Sequence, residues 1–118
     1  MKRIWSSALC AVAGSLFFGA FQPAHAAENY PSDPMSVASG QELAEIHCAA
    51  CHAVGREDAS AQPGAPAFRD LGQRYPVSSL EESLAEGIVT GHEGMPEFAF
   101  APDDIDDFLG YLTSLQAK

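Results

Sequence analysis

Cys48, Cys51 and His52 fall together in the run HCAACH, residues 47–52. Residues of these types at this spacing can do three kinds of chemistry. A thioredoxin-like pair exchanges dithiol for disulfide, a zinc site binds through thiolates, and a c-type haem is attached through two thiols beside an imidazole. A redox pair of the first kind sits in an α/β pattern near a strand, and no strand pattern precedes Cys48. A structural zinc needs about four ligands, commonly from two such pairs. Beyond residue 26 only His47, His52 and His92 could supplement the two cysteines, and there is no second pair. Haem attachment asks for nothing that is missing.

The spacing suits that third chemistry. On a helical turn, residues three apart share a face, so both sulfurs reach one edge of a planar macrocycle. His52 follows directly, which brings its ring under the plane with one nitrogen toward iron. The other nitrogen then needs an acceptor to hold the ring's orientation. Iron has a sixth position, and Met95 in GHEGMPEF is the candidate for it. Methionine usually fills irregular gaps in a core. Here Gly94 permits close approach and Pro96 stiffens the turn, which suits a soft sulfur presented from a loop. His92 is the rival ligand; the competing reading for both His92 and His47 is simple exposure.

Three helices are expected to position these groups. The first holds Gly40, Leu43, Ala44 and His47 at helical spacing, with Ser39 and Glu42 as a capping box or a start near Ser36. A second capping box, Ser79 with Glu82, opens a helix with Leu80, Leu84 and Ile88 on one face and Gly91 as its stop. The third starts at Pro102, carries Asp103 and Asp104 at its positive end, and lines Ile105, Phe108, Leu109, Leu112 and Leu115 along one stripe. RDLGQRY reads as a short helical turn before Pro76. Nothing alternates with period two for long enough to argue for a sheet, so the class is all-α. Two loops, about 53–67 and 91–101, are long for so small a domain, and such loops are commonly functional. Phe68, Phe98 and Phe100 lie in or beside them, so an apolar group that is not protein is expected to fill the space they enclose.

Export is legible at the start of the chain. Met1-Lys2-Arg3 precedes the uncharged run Ile4–Phe21, and Ala24 and Ala26 are small. Residues 1–26 read as a secretory signal peptide, 27–38 as a flexible leader and 39–118 as one domain. The apolar run exceeds the usual length of about 7–15 residues, which makes an uncleaved anchor the competing reading. Cys10 sits within that run, not at its end, so it does not read as a lipid attachment site. Loss of Lys2 and Arg3 takes the net charge from −10 to −12. Such a surface excludes nucleic acid, whose phosphates need clustered Lys and Arg. It would steer a basic protein partner, although acidic residues also serve solubility alone.

These pieces together resemble the small single-haem class I cytochromes c. The resemblance rests on CAACH at 48–52, G-x-x-L at 40–43, APAF at 65–68, GMPEF at 94–98 and FLGYL at 108–112. It implies the cytochrome c fold around one covalently bound haem c, with Cys48 and Cys51 as attachment points and His52 and Met95 as axial ligands. It implies that Gly40 lets the last helix cross closely against Tyr111 or Phe108. It also implies that the Pro66 carbonyl accepts a hydrogen bond from His52; Ala65 stands where the family commonly has a glycine. Phe68, Phe98 and Leu80 or Leu84 become candidates to pack the haem, ordinary core packing being the alternative for each. Tyr75 and Arg69 or Arg74 become candidates for the propionates, with solvation the alternative for the arginines. The implied function is one-electron transfer, not enzymatic catalysis, in the periplasm, by a monomer that meets redox partners with a basic docking face and has no membrane span after cleavage. The alternatives are a dedicated cytochrome subunit of an oxidoreductase complex and a haem protein whose open sixth site binds small ligands.

Overall fold

The computed structural model describes residues 29–87 and 94–116. The signal peptide with its expected cleavage after Ala26, and Ile88, Gly91 and His92, lie outside the described residues. Among the described residues there are three α-helices and two short 3-10 helices, and no strand.

Helix α1 runs over Pro34–His47. It starts earlier than either expected cap. Asp33 is the N-cap, its Oδ1 accepting from the amides of Met35 and Ser36 at 3.1 Å each, and proline sits in the first turn. These bonds hold the Asp33 carboxyl below the usual carboxylate range, with the Ser36 amide the largest cause. Ser39 and Glu42 therefore lie inside the helix, and residues 34–38, expected in a leader, form its first turns. Tyr30 also packs against the core and donates from its hydroxyl to Glu81 at 3.0 Å.

The chain after α1 is irregular to residue 67, as expected, and then forms a 3-10 helix, Phe68–Gln73. A second 3-10 helix, Val77–Leu80, leads into α2, Glu81–Glu86. Ser79 lies within that 3-10 turn and caps nothing by its side chain. The helix is shorter than expected because Gly87, at φ +100°, ends it ahead of Gly91.

Helix α3, Pro102–Gln116, starts at the expected Pro102, and Ile105, Phe108, Leu109, Leu112 and Leu115 are buried on its stripe. Its most extensive contact is with α1. They cross at Gly40, where a Cβ would run into the Asp107 carbonyl and lie 2.8 Å from Tyr111 Cβ. Any side chain there forces the helices apart, so this glycine is a packing requirement. The partner is Tyr111, the first of the two residues expected.

Candidate haem site

The CAACH segment continues α1 as a turn. The Cys48 amide donates to Ala44 O, and the Cys51 and His52 amides both donate to Cys48 O, at 3.1 and 2.9 Å. The two thiols are thus one helical turn apart, as the spacing required. They are free and half-buried. Burial pushes the Cys48 thiol up to about 11. At neutral pH it is a neutral thiol, which makes it a poor nucleophile for disulfide exchange. No cluster of three or more His, Cys, Asp or Glu able to hold a metal ion occurs among the described residues. The neutral Cys48 thiol weighs against the redox-pair reading.

His52 is buried at 9% exposure. Its Nδ1 lies 2.8 Å from the Pro66 carbonyl oxygen, which can only accept, so Nδ1 carries the proton and donates. The Nε2 lone pair then belongs to the side of the ring away from Pro66. Phe68 backs the imidazole at a centroid distance of 5.3 Å and meets Phe108 edge-on at 5.9 Å. The Phe68 amide donates to Ala53 O at 2.9 Å, which folds the loop back onto the haem motif.

That loop is tied down along its length. Ala53 and Val54 amides donate to Ser60 Oγ and Asp58 Oδ2, each at 2.9 Å. Tyr111 donates to Val54 O at 2.7 Å. Gln116, at the end of α3, donates to Phe68 O at 2.8 Å and accepts from the Gly72 amide at 3.1 Å. Neither the Tyr111–Val54 bond nor the Gln116 staple is visible in the sequence, because a lone polar residue on a helix face has no periodic signal.

A cavity of about 630 Å³ opens between these elements. Cys48, Cys51, His52, Pro66, Met95 and Phe98 all line it, with Leu80, Leu84 and Phe68 among its apolar lining. Met95 is half-buried, and Gly94 before it stands at φ +87°. Such a volume is within the range of ligand and cofactor pockets. The residues fit a haem: two thiols at helical spacing, a buried imidazole with a fixed tautomer, and a thioether facing the same space. Tyr75 lines the cavity as expected, and burial raises its hydroxyl above the ordinary phenol value. Arg69 does not line it. Its guanidinium is turned to Gly55 O at 3.3 Å and Asp58 Oδ1 at 3.5 Å, in a different groove. Arg74 is absent from the lining as well, which leaves Tyr75 as the cavity-side candidate of that group.

His47 was expected to be simply exposed. It is exposed, yet it lines the cavity and its ring meets both Phe98 and Phe100. No sequence signal points to it, since its partners lie some fifty residues later.

Comparison with known proteins gives two matches. The family described as Cytochrome c matches residues 37–116. Cytochrome c6 of Nostoc sp. strain PCC 7120 is 32% identical over 115 residues, covering 95% of this chain and 92% of that protein. No solved structure matches.

Proposed function

The chain belongs to the cytochrome c family, and from that premise we propose that it shuttles single electrons between exported redox partners with His52 and Met95 as the axial donors to its haem iron. Family membership makes it a carrier of covalently bound haem c that transfers electrons to and from protein partners, and not an enzyme. When bound, the haem supplies a ferrous–ferric couple whose potential histidine and methionine ligation raises.

The observation that carries the ligand assignment is the single cavity faced by both His52 and Met95. The protein's own share is orientation and exclusion of water. Pro66 O fixes the tautomer of His52 and increases its electron donation. Cys48 and Cys51 hold the group from one turn of helix. Phe68, Leu84 and the loop rings keep the surroundings apolar. The half-buried Met95 faces this space from a loop stiffened by Pro96. A sixth ligand from the chain leaves no open position for small molecules, which favours the carrier over a ligand-binding protein.

No helix among the described residues is long and apolar enough to cross a membrane. With the signal removed after Ala26, the remaining chain would be a monomer in the periplasm. Its acidic surface would favour a docking partner with a basic face, in a contact small and weak enough to part quickly.

Ferric holoprotein is expected to show the weak long-wavelength sulfur-to-iron band. Met95→Ala should abolish it and His92→Ala should leave it. Rapid carbon monoxide binding by unmodified ferrous protein would instead establish an open sixth position. Intact mass of the exported protein tests the rest: it should begin at Ala27 and carry one haem through two thioethers.

A further inference from the structure

The exposed side chain of His47 joins α1 to the segment that follows Met95. His47 is the last residue of α1. Its ring meets Phe98 edge-on at a centroid distance of 5.6 Å and Phe100 at 5.4 Å. Phe98 and Phe100 stack on each other at 6.1 Å, with 11° between their planes. Phe100 reaches on to Phe108 of α3 at 5.9 Å. The three rings at the loop end lie three and five residues past Met95 and directly before Cys48, and all of them line the cavity.

Gly94, directly before Met95, has a positive φ, and no described residue stands within 4 Å of where its Cβ would be. Beyond Pro96 the chain is anchored on two sides. On the α2 side that anchor is the Phe100 amide donating to Leu84 O at 2.9 Å, with the Glu97 side chain packed on Gly87. On the α1 side it is the imidazole of His47. Edge-to-face ring pairs of this kind stabilise beyond the area they bury.

We propose that His47 is a positioning residue for the methionine ligand, its ring clamping Phe98 and Phe100 so that the Met95 loop stays closed over the cavity. The inference rests on Met95 being the sixth ligand. His47 does not reach the iron; it acts through the two phenylalanines.

Imidazole is the probe, because it competes with a methionine sulfur for ferric iron. Loss of the sulfur-to-iron band in titrated holoprotein measures the displaced fraction. Removing two edge-on ring contacts in His47→Ala should tighten apparent imidazole binding roughly tenfold, while His47→Phe, which keeps a ring, should stay within about twofold of the unmodified protein. Phe98→Ala should tighten it too, and His47→Ala added to Phe98→Ala should do less than it does alone, because the two share one contact. Unchanged binding in His47→Ala, beside tight binding in Met95→Ala, would overturn the clamp and leave the ligand assignment standing. Equal effects of His47→Ala and His47→Phe would also overturn it, since the ring would then not be the cause. A sulfur-to-iron band that survives Met95→Ala would overturn the ligand assignment and the clamp together.

Discussion

The two walls of the cavity are built in different ways. The histidine wall is laced by hydrogen bonds: His52 to Pro66 O, Phe68 to Ala53 O, Tyr111 to Val54 O, and Gln116 to both Phe68 and Gly72. The methionine wall, over residues 94–100, has one backbone hydrogen bond to the rest of the described chain, from Phe100 to Leu84, with the Glu97 side chain on Gly87 and ring packing beside it. Hydrogen bonds are directional and buried ones are costly to break singly, whereas packed rings can slide. On the proposed ligation, one wall fixes the imidazole of His52 and the other presents the sulfur of Met95, whose displacement should disturb the fold less.

The contrast is sharpest under truncation of the central ring on the histidine side. Phe68→Ala should lower the unfolding free energy of the holoprotein by about 3–5 kcal/mol, since the ring is buried between His52 and Phe108. Urea denaturation followed by far-UV dichroism measures it; a loss no larger than that of Phe98→Ala would erase the distinction between the walls.

Tyr111→Phe should cost about 1–2 kcal/mol at neutral pH, because Val54 O is left without its donor. Burial, with Glu45 and Asp58 adding to it, raises the Tyr111 pKa above 10.0. The stability from the protonated hydroxyl is then fully present below pH 10.0 and lost as pH rises through the raised value. Urea midpoints on either side of that window should converge for Tyr111→Phe and the unmodified protein as pH rises.

Phe98→Ala should lower global stability by about 1 kcal/mol while visibly weakening the sulfur-to-iron band. Loss of the band without much loss of fold is the behaviour expected of the packed wall alone.

The smallest effect belongs to a site remote from both walls. Asp33 is exposed and its pKa is lowered below 3.8 by the Ser36 amide first. Its stabilisation is present above pH 3.8 and lost as pH falls through the lowered value. Asp33→Ala should fray the start of α1 on amide exchange and leave the absorption spectrum unchanged.

How far the sequence could be read differed in the same way. The start and buried face of helix α3 were legible because proline, acidic residues and a long apolar stripe all point to one answer. The start of α1 was not, since Ser39 and Glu42 imitate a capping box, while Asp33 before Pro34 is the cap that the chain uses. The same imitation misplaced the start of α2 at Ser79. Arg69 was a reasonable propionate partner by composition, but Asp58 captures it on another face.

The haem motif is a local matter. Cys48, Cys51 and His52 lie within one turn, and helical geometry alone makes them converge, so residue types and spacing were sufficient to state the chemistry. The groups that surround the motif are not local. Pro66 meets His52 through a backbone carbonyl that carries no side-chain signal, and the rings that His47 meets lie some fifty residues later. Which of these groups meet depends on α1 crossing α3 at Gly40, and a crossing is set by how buried surfaces fit, which no run of residues encodes by itself.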